Sequence, residues 1–178
     1  MFKTLPLCCM VGGGPENGNK GIFVVHGGLF SDPDTTLDTI NAIERKNYST
    51  VIVQTKNPSE SDILIEEMLW SDPTQDGVPG VYRSERGSGI EFGPDVSINW
   101  LQKIGCNYLV RSHECIEDGC EVMPAKPDTK ESKAFAKKHN LKYQIYTVFS
   151  ASNYSDGDNQ GAVLTFSTLE RPKVFRFR

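Results

Sequence analysis

Glycine and proline fill 16 and 10 of the 178 positions, about one residue in seven, which holds the chain to short elements joined by turns. Short apolar runs between them read as strands. Ile22-Phe-Val-Val25 is mostly β-favouring and is stopped by His26-Gly27-Gly28. Further strands are predicted over 107–111, 145–149, 161–167 and 173–177. Helical spacing runs over 35–46 (Leu37, Ile40, Ile43), 59–69 (Ile63, Met68, Leu69) and 95–104. Thr35 or Thr36 is placed to cap the first helix, and Ser59 or Ser61 the second. This mixed order predicts a layered α/β (α+β) class. Three stretches stand outside it. Residues 1–20 read as a flexible or divergent start whose Gly-rich part, 11–20, is a linker or insertion. The charged stretch 123–143 reads as a surface insertion carrying a short helix over 131–139. Trp70 to Phe92 is polar and twenty-odd residues long, a length that marks a functional or disordered segment.

Composition narrows the class. With 38% hydrophobic and 24% charged residues the chain can bury a core, so wholesale disorder is excluded. Its length is one domain's worth, or a large part of one. The net charge of −4 argues against a protein that grips phosphate backbones. No apolar run approaches the roughly 20 residues of a membrane span, and Leu5 to Met10 is too short for the apolar core of a signal peptide. Five cysteines, an odd and modest number, suit a reducing compartment. A cytoplasmic protein, with the nucleus open to it, is the expectation.

Two of the three histidines share a context. His26 follows one predicted strand and His113 another, each at a sheet rim where imidazoles can converge on an ion. The plain alternative is a loop hydrogen bond at each. Arg86 lies among glycines, where a planar guanidinium suits a phosphate, against the alternative of a solvated surface arginine. Asp72 and Arg83 share its stretch. Tyr154, just past the strand at 145–149, offers a phenol to a substrate oxygen or to a turn. Two further patterns lead nowhere. Asp156-Gly-Asp158-Asn-Gln160-Gly161 starts like a calcium loop, but its twelfth position is Ser167 and its flanks are strands, so it reads as a turn. His113, Cys115 and Cys120 match no closed zinc spacing.

Taken in order, Val25-His-Gly-Gly-Leu29, Leu69-Trp-Ser-Asp-Pro73, Glu85-Arg-Gly87, Phe92-Gly-Pro-Asp-Val96, Arg111-Ser-His-Glu114 and Phe149-Ser-Ala-Ser-Asn-Tyr154 resemble signatures of the phosphoprotein phosphatase family of metal-dependent serine/threonine protein phosphatases. Arg111-Ser-His-Glu-Cys115 with Ser150-Ala-Ser-Asn-Tyr154 looks most like the branch whose members carry EF-hands. The resemblance implies a calcineurin-like β-sandwich flanked by helices. It also implies hydrolysis of phosphoserine and phosphothreonine in proteins by a metal-activated water, with two ions drawn from manganese, iron and zinc. By the family pattern His26 and His113 are metal ligands, Arg86 and Tyr154 hold the phosphate, and Asp72 has a supporting role.

The same resemblance exposes a gap. Gly-Asp-x-His-Gly, Gly-Asp-x-x-Asp-Arg-Gly and Gly-Asn-His-Glu supply the family's other metal ligands, a second phosphate-binding arginine and the general acid. None of them occurs in these 178 residues. The chain therefore reads as a partial catalytic domain, the C-terminal half, with an incomplete metal site and an apolar face left uncovered. Ser152 also stands where the family's usual motif has proline. Two functions stay open: an enzyme half partnered by an N-terminal half or a regulatory subunit, or a non-catalytic binding fragment.

Overall fold

The computed structural model describes residues 4–18, 20–48, 56–75, 77–123, 144–169 and 171–178. Its main sheet has five strands in the order β1-β2-β6-β8-β7. These are β1 (Cys8–Gly12), β2 (Gly21–Val25), β6 (Tyr108–Arg111), β7 (Cys120–Met123) and β8 (Gln144–Val148). The inner pairs β2–β6 and β6–β8 are parallel, and both outer pairs are antiparallel. Alternation sends Phe23, Val25, Leu109 and Ile145 into a core shared with the helices. That core holds Leu64, Ile65 and Met68 of α2 (Glu60–Trp70) and Trp100 and Leu101 of α3 (Pro94–Lys103). On the opposite face the hairpin β9 (Gly161–Thr165) and β10 (Lys173–Phe177) packs Ala162, Leu164 and Val174 near Cys120 and Tyr146.

Local chemistry explains the helix starts. Ser59 caps α2: its side chain accepts from Asp62 N at 3.2 Å, while Ser59 N donates to Asp62 Oδ2 at 2.8 Å. Pro94 opens α3 at a position where the missing N–H costs nothing. The helix predicted over 35–46 is shorter. Thr36 caps α1 (Leu37–Asn41), and a separate 3₁₀ turn follows at Arg45–Asn47. Thr36 and Thr39 form a capping box at the start, but Asn41 and Asn47 beyond it have weak helix propensity.

Two sequence expectations are corrected, and between the two alternatives for a third stretch the structure decides. The first twenty residues are not all flexible, because β1 pairs with β2 from Cys8↔Val25 to Gly12↔Gly21. The Gly triplet is the turn that closes this hairpin. Gly12, Gly13 and Gly14 all have positive φ, and Gly13 N donates to Lys20 O at 2.8 Å. In the stretch from Trp70 to Phe92, read as functional or disordered, the described residues form a small sheet of β3 (Asp72–Pro73), β5 (Ile90–Phe92) and β4 (Val81–Arg83). Met123 belongs to β7, a strand missed in the sequence, rather than to a loop; the rest of the expected insertion and its helix over 131–139 lie outside the described residues.

One apolar surface is open among the described residues. An open groove of about 440 Å³ lies between the main sheet and the β9–β10 hairpin, lined by Val11, Val24, Val110, Val148, Val163 and Phe166. Val11 is 46% exposed although its strand partner Ile22 is buried, and Val163 is 44% exposed opposite exposed Phe175.

One buried carboxyl faces the helix side. Glu67 of α2 is 4% exposed; its Oε1 accepts from Ser31 N at 3.2 Å, and its Oε2 has no partner among the described residues. Burial pushes its pKa up, against the pull of the Ser31 hydrogen bond, and nearby Glu66 and Asp32 add to the rise. A raised carboxyl pKa means that the folded state holds the proton more tightly than the unfolded chain. Its stabilising contribution is therefore full below the ordinary carboxylate pKa and lost as pH rises through the folded value. Glu67→Gln should raise the Tm at pH 7 more than at pH 4 in thermal denaturation. An equal shift at both pH values would contradict the assignment.

Candidate metal and phosphate site

The two central parallel strands end on one rim, the usual place for a ligand in a sheet of this kind. Register Val24↔Val110 sets His26 beside the residues that follow β6, and Ser112 N donates to His26 O at 3.0 Å. The imidazoles of His26 and His113 consequently face each other, with ring centroids 5.1 Å apart and planes at 69°. Gly27 and Gly28 are required here. A Cβ on Gly27 would meet the Leu69 carbonyl carbon at 2.5 Å, and one on Gly28 would meet Phe92 Cε1 at 2.3 Å. The glycines let the loop press on the end of α2, where Gly27 N donates to Met68 O at 2.7 Å.

Arg111 ties this rim together. Its side chain is fully buried, yet every branch is satisfied. Nε donates to Gly27 O, Nη1 to Glu114 Oε2, and Nη2 to Asp72 Oδ1 at 2.6 Å and Ser71 O at 3.4 Å. Asp72 turns its other oxygen to Arg86, accepting from Nε at 2.6 Å. Arg86 lines a cavity of about 520 Å³ together with Asp72, Tyr82, Ser84, Glu85 and Glu114. Tyr154 is not among the residues lining that cavity. It lies beyond β8, 54% exposed, with its ring edge against Phe149 at 5.2 Å.

Electrostatics keep both histidines neutral. Burial lowers the pKa of His113 to about 4, against the pull of Asp72, with Arg86, Arg111 and His26 contributing further. Burial, then Arg111, lowers that of His26. Neutral imidazole is the ligating form. His113 Nε2 is buried without a partner among the described residues, and Trp70 meets the ring edge-on at 5.4 Å. The pair therefore fits a transition metal as part of a ligand set. Among the described residues no group of three or more His, Cys, Asp or Glu is placed to complete it.

Sequence reasoning singled out His26, Arg86, Asp72, His113 and Tyr154. Arg111 bonds Asp72 and, through it, reaches Arg86, while His26 and His113 are tied to it only through their chain neighbours Gly27 and Glu114; Tyr154 is not part of this network. Sequence reasoning missed the parts played by Arg111 and Glu114. The available signal was an arginine closing the otherwise uncharged strand Tyr108-Leu-Val-Arg111, a charge that must find a partner if buried.

His113 also has φ +71°, a left-handed conformation that favours glycine. His113→Gly should therefore melt higher than His113→Ala, by roughly 0.5–1 kcal/mol in denaturant titration, since both lose the ring and only alanine keeps the backbone cost. An alanine variant of equal or greater stability would contradict the left-handed backbone.

Comparison with known proteins gives the arrangement its context. Residues 1–117 match the family model described as Calcineurin-like phosphoesterase. Serine/threonine-protein phosphatase T of Aspergillus oryzae is 36% identical over 164 residues, covering 92% of this chain and 27% of that protein. Mouse serine/threonine-protein phosphatase with EF-hands 1 is 31% identical, covering 88% and 26% respectively. A solved Saccharomyces cerevisiae serine/threonine phosphatase with similarity to human phosphatase PP5 superposes with a TM-score of 0.60 at 26% identity, over 98% of this chain and 47% of that one. The chain thus spans about a quarter of the length of these curated relatives. With the two histidines, the Asp72–Arg86 pair and the layered fold on the same residues, the chain belongs to the calcineurin-like phosphoesterase family.

Proposed function

We propose that this chain carries one part of the active site of a metal-dependent serine/threonine protein phosphatase and lacks activity alone. The observation that supports it best is the facing His26–His113 pair on the rim where Asp72 also holds Arg86. His26 and His113 would each give a ring nitrogen to a metal ion. Bound manganese, iron or zinc would acidify water and offset phosphoryl charge. Arg86 presents a guanidinium for the phosphate, whereas Tyr154, expected to share that role, stands outside the cavity that Arg86 lines. The substrate class is phosphoserine and phosphothreonine in proteins, by likeness to the named relatives. Five cysteines without disulfides agree with a cytoplasmic setting.

A second reading, a non-catalytic binding fragment, is favoured by the absence of a third ligand among the described residues and by the open apolar groove. Activity assays separate the two. Two neutral ligands hold a divalent ion weakly, and lack of a general acid alone is worth about 10²–10⁴ in rate. Residues 1–178 alone should show no manganese-stimulated hydrolysis of a phosphoserine peptide. Joined to a family N-terminal half bearing the three absent motifs, they should turn over, and His113→Ala or Arg86→Ala should then abolish or sharply reduce the rate. Failure of the joined protein, correctly folded and metal-loaded, would favour the binding fragment. Robust activity of the chain alone would overturn the half-site reading.

A further inference from the structure

We propose that Asp72 is a positioning residue that aims Arg86 at a phosphate oxyanion, with buried Arg111 as its counter-charge; the phosphate end of this rests on the phosphatase reading above. The two oxygens of Asp72 serve two different cations. Oδ1 accepts from Arg111 Nη2 and Oδ2 from Arg86 Nε, each at 2.6 Å. The carboxylate cannot rotate without losing one of them.

The two cations differ in what they gain. Arg111 is fully buried and already bonded to Gly27 O, Ser71 O and Glu114. Arg86 has a side chain 42% exposed, and an ion pair that open adds little to stability. What the bond fixes is direction. It engages Nε, the inner edge of the guanidinium fork, and both terminal nitrogens have no partner among the described residues. Those terminal donors are the ones suited to two oxygens of a tetrahedral anion. The backbone is set to match. Arg86 N donates to Ser84 Oγ at 3.1 Å, and Gly87 N to Ser84 O at 3.2 Å. Asp72 itself is fixed by the pairing of β3 with β5, at Asp72↔Glu91. Asp72 and Glu114 together balance the charges of Arg86 and Arg111, so the guanidinium stays in place before any anion arrives.

The test reads the arginine Nε–Hε resonances of the full chain by NMR, with inorganic phosphate as the probe. The Arg86 signal, assigned by its loss in Arg86→Lys, should be slow to exchange and should shift as phosphate is added. In Asp72→Asn that protection should disappear, and the apparent phosphate affinity should fall by about tenfold, the scale of one charge-assisted contact. Since Asp72→Asn leaves buried Arg111 with Glu114 as its one remaining carboxylate partner among the described residues, Asp72→Asn/Arg111→Met provides a variant without that charge. In either variant, once folded, an Arg86 signal and a phosphate affinity like those of the wild type would overturn the proposal. A wild-type Arg86 signal that ignores phosphate would overturn it too. If these NMR results hold but the joined protein has no turnover, the phosphatase reading alone fails and the positioning role stands.

Discussion

A guanidinium buried to zero exposure is among the most demanding groups a small domain can hold, and Arg111 sets the terms for the rest of the rim. Its charge is tolerable only because carboxylates and carbonyls surround it, and removing one partner of such a buried pair costs about 3–5 kcal/mol. Those partners come from three places: Gly27 after β2, Ser71 and Asp72 after α2, and Glu114 after β6. Satisfying one side chain therefore brings three loops to one point. His26 precedes Gly27, and His113 precedes Glu114, so the same bonds set the two imidazoles face to face.

The surrounding packing follows from that convergence. Gly27 and Gly28 have no side chain because the loop must press against the end of α2 and against Phe92. His113 accepts a left-handed backbone at the turn out of β6. Burial and nearby guanidinium charge hold both rings in the neutral form, the state a metal ligand needs. Burial thus keeps the histidines neutral against the opposing pull of Asp72, with the charge of Arg111 adding to the effect of burial.

Much of this was legible in the sequence where the signal is local. β-Favouring runs gave β2, β6, β8, β9 and β10, and Ser59 with Asp62 marked the start of α2. The rim histidines stood out because each ends an apolar run. Non-local features were hidden. β1 is Cys-Cys-Met-Val-Gly, with one β-branched residue, and it is a strand only because β2 lies beside it. The sheet within 70–92 has strands of two or three residues, too short for any periodicity. Arg111 looked like a strand-end charge, because its partners Asp72 and Gly27 lie 39 and 84 positions away.

The valine-lined groove lies on the far side of the main sheet, and among the described residues no group of three or more His, Cys, Asp or Glu gathers at the histidines. In the proposed site, the facing of the two imidazoles is intrinsic to the chain and precedes any metal. The most direct measurement is the NOE between the ring protons of His26 and His113 in the isolated chain with a metal chelator present. A strong cross-peak is expected, given centroids 5.1 Å apart, together with pKa values lowered from the usual histidine value, that of His113 to about 4. No cross-peak in the folded chain, with both rings titrating like free histidine, would contradict it.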